Sequence, residues 1–219
     1  MPQNFIFKDT GDALTFVGDF DALYESEENP WGQSGSDDRL EELYKISRSN
    51  LIQNIEKLNN VQSICEVGCG LGYVTKLLDD SLKTMQCDGM DISDVAITKS
   101  KKLFPSLKFF TQNIGSSDFS FTKKYDVVIL NQILWYILED LENVFKNIDS
   151  ILKKNGYLII STLFLKKQRY GKEIIGSFEE LISYSLQNKF KYKFTYAYID
   201  YENTFPNHRE SILVIQKNH

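Results

Sequence analysis

The sequence predicts an α/β fold, with strands and helices alternating behind an N-terminal segment. Three observations point to that class. Residues 61–67 read as a buried strand, the turn Gly68-Cys69-Gly70-Leu71-Gly72 follows at once, and residues 73–82 then take up helical spacing. A strand, a glycine turn and a helix make the opening unit of a nucleotide-type α/β domain. Apolar runs and helical patterns go on alternating as far as residue 163, the rhythm of a parallel sheet with helices between its strands. Residues 125–131, Tyr-Asp-Val-Val-Ile-Leu-Asn, are nearly all apolar, as a central strand covered on both faces must be.

The elements follow in order. Residues 1–36 show no helical or strand period beyond a short turn at 20–24, yet they carry six aromatics: Phe5, Phe7, Phe16, Phe20, Tyr24 and Trp31. They read as a strap on the core or as a lid that closes over a ligand, because a lid buries something when it shuts. Residues 37–219 form the remaining domain. Ser36 is placed to cap a helix, with Asp37 and Asp38 at its positive end. Leu40, Leu43, Tyr44, Leu51, Ile55 and Leu58 keep helical spacing to about residue 58. Strand 1 is 61–67, its helix 73–82, and strand 2 is 85–92. Ser93 and Asp94 open a helix over 95–104, which Pro105 stops. Strand 3 spans 107–111 and strand 4 spans 125–131. Asp140 is expected to cap the next helix, whose apolar face is Leu141, Val144, Phe145, Ile148, Ile151 and Leu152. Asn155 and Gly156 are expected to end it in left-handed conformations, before strand 5 at 157–163. Ser177-Phe178-Glu179-Glu180 is a capping box that starts a helix reaching about residue 188. Residues 191–201 alternate as a strand with Tyr192, Phe194, Tyr196 and Tyr198 on one face, and 211–216 close the chain as an apolar strand.

The glycine turn carries the functional reading. The dinucleotide fingerprint is G-x-G-x-x-G and brings a pyrophosphate to a helix N-terminus. Here the third glycine comes one residue early, and Glu66 stands two residues before the first. A carboxylate there repels a pyrophosphate but attracts a ligand with an ammonium and a sulfonium, which S-adenosyl-L-methionine carries. With this acid, Gly68, Gly70 and Gly72, the chain resembles the class I S-adenosylmethionine-dependent methyltransferases, whose first motif is acid-x-G-x-G-x-G. The resemblance implies a doubly wound, seven-stranded mixed sheet with an N-terminal helical strap, in the strand order 3-2-1-4-5-7-6 with strand 7 antiparallel, and S-adenosyl-L-homocysteine as product. Asp91, 25 residues after Glu66 at the end of strand 2, is the acid that folds of this type turn to the ribose hydroxyls, with Ile92 beside it. The family commonly places an Asp at Asn113 to meet the adenine amino group. Asn113 retains an acceptor oxygen for that contact, followed by Ile114. Asn131 ends strand 4, and residues 132–138 are the family's fourth motif. The form Ile-Leu-Trp-Tyr-Ile, with Tyr24 and Pro30-Trp31, resembles the nodulation-factor group that methylates sugar amines.

That similarity implies a sugar or sugar-nucleotide acceptor, methylated on a hydroxyl or an amine, in surface-glycan or natural-product biosynthesis. Tyr24, Trp31, Trp135 and Arg169 are the candidate acceptor contacts, since aromatic planes suit the apolar faces of sugar rings. Trp135 and Tyr136 either line that pocket or pack beneath the following helix. The catalytic candidates are Tyr136 and His208. The implied topology brings the start of strand 7, and so His208, to the carboxyl ends of the parallel strands. There an imidazole can take a proton from a hydroxyl; the alternative is a solvent-exposed loop histidine.

Composition narrows the partners. A net charge of −5 over 219 residues offers no basic face for nucleic acid. No apolar run approaches the ~20 residues of a membrane span, and the first ten residues lack a signal-peptide core, so the expected site is the cytoplasm. Cys65, Cys69 and Cys87 are read as small buried residues in a reducing compartment, with no metal site expected. The expected assembly is a monomer or homodimer acting on a small molecule. Two other functions are open: a non-catalytic S-adenosylmethionine sensor or partner-dependent subunit, and a nicotinamide-dependent dehydrogenase, against which Glu66 and the short glycine spacing argue.

Overall fold

The computed structural model describes residues 3–11, 13–34, 38–165, 167–187, 190–200 and 208–218. The chain divides into two compact units, Met1–Gln112 and Asn113–His219. Its elements are α1 (Gln3–Ile6), β1 (Phe7–Asp9), β2 (Leu14–Phe16), α2 (Phe20–Ser26), α3 (Asp38–Glu56), β3 (Ser63–Val67), α4 (Tyr73–Ser81), β4 (Gln86–Asp91), α5 (Asp94–Leu103) and β5 (Lys108–Thr111), then β6 (Tyr125–Asn131), α6 (Leu141–Ile151), β7 (Leu152–Leu165), α7 (Phe178–Ser185), β8 (Tyr192–Asp200) and β9 (His208–Lys217). The main sheet has the order β5-β4-β3-β6-β7-β9-β8. Counted from β3, this is the predicted 3-2-1-4-5-7-6, and β9 is antiparallel to both neighbours.

In the first unit β3 is buried along its whole length. It pairs in parallel with β4 from Ser63↔Gln86 to Val67↔Met90, and β4 pairs in parallel with β5 from Asp88↔Lys108 to Asp91↔Thr111. Both carboxyl ends therefore emerge side by side, at Val67 and Asp91. Phe109 of β5 locks the layer. A Cβ on Gly72 would lie 2.6 Å from its ring, and one on Gly89 also 2.6 Å. The helix after β3 can come this close only because Gly72 has no side chain. Ser93 caps α5, its side chain accepting from Ala96 N, and the helix stops at Leu103 ahead of Pro105.

The N-terminal segment has more structure than its sequence pattern suggests. A short helix and a hairpin, β1 against β2, lead into α2, which Asp19 caps through Ala22 N. Elements of three to seven residues are too short to display a period, which is why no repeat marks them. Ile6, Leu23 and Tyr24 are 1%, 0% and 3% exposed. The segment is thus built into the core of its unit. The expected Ser36 cap lies outside the described residues.

In the second unit β6 runs over the predicted residues and pairs in parallel with β7. α6 buries Leu141, Val144, Phe145, Ile148 and Ile151. Three expectations are corrected here. Asp140 precedes α6 but makes no side-chain cap bond; its carboxyl group packs against Gly115, where a Cβ would lie 3.0 Å from Oδ2. The helix ends at Ile151 and β7 begins at Leu152. Asn155 does take φ 61°, yet it does so within β7, and Gly156 is not left-handed. The β8–β9 register shifts between Phe194 and Tyr196. Before this bulge Tyr192 and Phe194 oppose Lys217 and Ile215; after it Tyr196 and Tyr198 oppose Val214 and Ile212. One extra residue moves every following side chain to the other face, so the four aromatics do not share one. The capping box at α7 forms: Glu180 N donates to Ser177 Oγ at 3.1 Å and Gly176 N to Glu180 Oε2 at 2.7 Å. The helix itself ends at Ser185, short of the expected 188.

Candidate active site

The loop after β3 is the centre of the first unit. Gly68, Gly70 and Gly72 all adopt left-handed backbone, with φ of 73°, 53° and 81°. An L side chain pays about 1–2 kcal/mol to do so. Gly68 N and Cys69 N both donate to Met90 O, at 2.7 and 3.0 Å. This folds the loop over the end of β4. Gly70 N donates to Asp91 Oδ2 at 2.7 Å, and Ser93 N to Asp91 Oδ1 at 2.9 Å. Asp91 is thus the strut between the glycine loop and the start of α5, and it is only 6% exposed. Burial pushes its carboxyl group up. The N–H groups of Ser93, Gly70 and Ile92 pull the other way, and Asp21 adds to the upward shift. Each oxygen still has a lone pair to offer a ligand. Ile92 beside it is 47% exposed, an apolar surface at the mouth of the sheet.

Glu66 is not open to solution. It is 2% exposed, and its Oε2 accepts from Thr75 Oγ1 at 2.5 Å. Its charge acts on Arg48 of α3: desolvation lowers the guanidinium's pKa, and Glu66 is the first group that restores it. Arg48 Nη2 donates to Gln33 O at 2.5 Å, while the buried Arg48 Nε has no partner among the described residues. Periodicity marked Arg48 only as a polar position on a helix. The signal that singles it out is burial, which a single sequence does not show.

The strap lies over this loop. Gln33 Oε1 accepts from Leu71 N at 3.2 Å. A Cβ on Gly70 would meet Tyr24 Oη at 2.5 Å and Gln33 Oε1 at 2.8 Å. Tyr24 clusters with Leu71 and Ala96, and Trp31 packs against that group. Asp21 Oδ1 accepts from Ser93 Oγ at 2.6 Å and Val95 N at 3.2 Å. Lys99 Nζ donates to Tyr24 O and, at 3.2 Å, to Glu27 O. Tyr24 and Trp31, expected at an acceptor pocket, therefore stand beside the glycine loop.

Burial raises the pKa of Cys69, helped by Asp91 and Glu66, and raises that of Cys87 to about 12. Among the described residues no group of three or more His, Cys, Asp or Glu side chains is placed to hold a metal.

In the second unit, Asn113 Oδ1 accepts from Gly115 N at 2.9 Å, a local turn that directs the loop after β5. Ile114 is buried. Asn147 of α6 holds this loop from below, its Nδ2 donating to Ile114 O and to Ser116 O, both at 2.8 Å. Sequence reasoning missed Asn147, because an asparagine inside an amphipathic helix reads as a surface residue.

β6 ends in two unusual residues. The buried Oδ1 of Asn131 has no donor among the described residues. Gln132 is left-handed, at φ 59°, and its N donates to Ser161 O at 2.8 Å while its Nε2 reaches Ser161 Oγ at 3.4 Å. Non-glycine residues in this region concentrate at functional sites. Trp135 and Tyr136 lie in a 3-10 turn, Leu134–Tyr136. Trp135 sits edge-on to Phe164 of β7, centroids 5.4 Å apart, and Phe164 meets Phe178 of α7. Its packing is against β7, where a place under α6 was the expected alternative. Arg169 is exposed. Tyr170 Oη donates to Glu139 Oε1 at 3.2 Å, and Lys166 lies outside the described residues. His208 is the first residue of β9 and stands opposite Leu165, at the carboxyl end of β7; its side chain lies outside the described residues.

These features agree with what the chain is similar to. A family described as "Methyltransferase domain" matches residues 39–200. The malonyl-[acyl-carrier protein] O-methyltransferase of Bacillus anthracis is 27% identical over 149 residues, 66% of this chain and 51% of that protein. A second such enzyme, from Ilyobacter polytropus, is 28% identical over 134 residues, covering 60% and 51%. The chain thus spans about half the length of the curated relatives it matches. Among solved structures, the N-methyltransferase NodS of Bradyrhizobium japonicum in complex with S-adenosyl-l-homocysteine superposes with a TM-score of 0.66 at 14% identity, covering 90% of this chain and 97% of that one. Magnesium protoporphyrin IX methyltransferase of Synechocystis with bound S-adenosylmethionine superposes at 0.64 and 15%, covering 91% and 93%. At such identities these two likenesses establish the fold. The family match spans well over half the chain and includes the glycine loop, Asp91 and the end of β6: this protein belongs to the methyltransferase domain family.

Proposed function

We propose that this chain transfers a methyl group from S-adenosylmethionine to a small-molecule acceptor. The observation that carries the reading is the loop of three left-handed glycines pinned to Asp91. The residues present fit the cofactor. Gly70 leaves a cradle that a side chain would fill. The Asp91 carboxylate suits the ribose hydroxyls, and the exposed Ile92 suits an adenine face. Arg48 Nε, which has no acceptor among the described residues, is a donor for a carboxylate. Glu66, held by Thr75, compensates the charge of Arg48 rather than meeting the ligand first.

The cofactor supplies an electrophilic methyl group. The protein positions the acceptor behind it and excludes water, and most of the acceleration comes from that placement. Trp135, Tyr136, Arg169 and His208 are the acceptor-side groups in this reading, with Tyr24 and Trp31 moved to the cofactor side. A sugar or sugar-nucleotide acceptor is supported by the resemblance of the Ile-Leu-Trp-Tyr-Ile motif to the nodulation-factor group. The relatives named for malonyl-[acyl-carrier protein] support a second reading, O-methylation of a carrier-bound carboxylate. Calorimetric titration with S-adenosylhomocysteine and with NAD tests the proposal. Binding of the first alone is expected; binding of NAD alone overturns it. Turnover of S-adenosylmethionine with an acceptor separates an enzyme from a sensor or partner-dependent subunit.

A further inference from the structure

We infer that Asp21 and Lys99 are positioning residues of the cofactor site. They clamp the strap helix α2 onto α5, and the clamp sets how firmly the glycine loop is held. This assignment rests on the methyl-transfer reading above and adds to it two residues that act through others.

A helix leaves its first N–H groups and its last C=O groups without partners of its own. Here two helices complete each other. Asp21 lies in the first turn of α2, and its Oδ1 accepts from Ser93 Oγ at 2.6 Å and from Val95 N at 3.2 Å, at the start of α5. Lys99, midway along α5, donates from Nζ to Tyr24 O and, at 3.2 Å, to Glu27 O, at the end of α2. A carboxylate thus stands at the positive end of α5 and an ammonium at the negative end of α2, the favourable sign in both places. The contacts fall in the same order along both helices, so α2 and α5 run side by side in one direction. Helix dipoles so arranged repel, and the crossed charges offset that repulsion. Asp21 and Tyr24 are about one turn apart on α2, as Val95 and Lys99 are on α5, so both ends of α2 are fixed and it cannot swing about a single contact.

Two routes join this clamp to the glycine loop. One is a chain of hydrogen bonds. From Asp21 it passes through Ser93, whose N donates to Asp91 Oδ1 at 2.9 Å, to Gly70, whose N donates to Asp91 Oδ2 at 2.7 Å. The other is packing. Tyr24 is 3% exposed and clusters with Leu71 of the loop and with Ala96 of α5. Its Oη stands 2.5 Å from where a Cβ on Gly70 would lie, so the phenol rests on the loop itself. Glycine keeps more backbone freedom than any other residue. A loop with three of them holds its shape only as far as its neighbours hold it, and a slack loop must be ordered when the ligand binds, which lowers affinity.

Three variants of the full chain test the clamp. Lys99→Met removes the ammonium and keeps the aliphatic stem, whereas Lys99→Arg keeps the charge. Lys102→Met removes an equal charge from the last turn of the same helix, outside the clamp. Each is titrated with S-adenosylhomocysteine by calorimetry, and its amide hydrogen exchange is followed by NMR without ligand. Lys99→Met is expected to weaken S-adenosylhomocysteine by about fivefold or more. It is also expected to speed exchange at Gly70 and Leu71 by about tenfold, while Ile64 and Cys65 in the buried β3 exchange as in the wild type. Lys99→Arg and Lys102→Met are expected to bind within about twofold of the wild type. Asp21→Asn should repeat the pattern of Lys99→Met and replaces it should that variant not fold. Wild-type affinity in both Lys99→Met and Asp21→Asn overturns the clamp. Equal acceleration at Gly70 and Ile64 also overturns it, because that marks a loss of global stability alone, and so does a Lys102→Met variant as weak as Lys99→Met. If the wild type itself does not bind S-adenosylhomocysteine, the methyl-transfer reading falls and takes the assignment with it.

Discussion

Replacing Asp91 by asparagine separates its two tasks. In the wild type its two oxygens accept from Gly70 N at 2.7 Å and Ser93 N at 2.9 Å. Hydrogen bonds to charged groups contribute roughly 1.5–3 kcal/mol each. The asparagine of Asp91→Asn would keep one acceptor oxygen, so one backbone N–H loses its partner and the ribose loses a charged acceptor. A loss of about 1.5–3 kcal/mol in ligand binding is a factor of roughly ten to a hundred in Kd. Stability responds differently, because burial raises the Asp91 carboxyl group above its ordinary value. For a group shifted upward, the folded state binds the extra proton. That stabilisation is fully present below the unfolded value, about 3.9, and is lost as pH rises through the folded value. Asp91→Asn does not titrate, so from about pH 4 upward its stability should fall less than that of the wild type. Titration calorimetry with S-adenosylhomocysteine measures the first effect; urea melts from about pH 4 to 8 measure the second. An unchanged Kd refutes the assignment of Asp91 to the cofactor. Parallel stability curves refute the buried charge.

Gly70→Ala places a methyl group 2.5 Å from Tyr24 Oη and 2.8 Å from Gln33 Oε1 at φ 53°; it should cost about 1–2 kcal/mol from the backbone alone, read by thermal unfolding, with cofactor affinity falling as well. Arg48→Gln should weaken S-adenosylhomocysteine about tenfold yet leave binding of its decarboxylated analogue unchanged; equal losses for both ligands would remove the carboxylate role. Asn147→Ala deletes two bonds of 2.8 Å to the 114–116 loop and should destabilise by about 1–3 kcal/mol, which denaturant melts would detect. Deleting residues 1–32 strips Ile6, Leu23 and Tyr24 from the core, at roughly 1.5–3 kcal/mol each; the truncated chain should lose its cooperative thermal transition, and a normal melting temperature would show that the strap is dispensable.

Local features are legible in the sequence because their causes are local. Residues 125–131 form a strand to the residue as expected, since an apolar run of that length has few other uses. Ser93 and Ser177 cap their helices as their types predict. The glycine spacing announces a loop that only positive φ can build, and all three glycines have it. The N-terminal helices and hairpin are not legible, nor is the start of β7 at Leu152, because runs this short and turns inside strands carry no period.

The sequence by itself determined the fold class, the glycine loop and the position of Asp91, because periodicity, glycine spacing and strand ends act within a few residues of one another. Tertiary structure alone decided what the loop is held by. Asp91 grips Gly70 across 21 residues and Gln33 grips Leu71 across 38. Glu66 turned out to be buried against Thr75, and Arg48 to be desolvated near its charge. Hydrogen bonding and charge compensation between distant residues depend on which groups burial leaves facing each other, and that is a property of the packed chain.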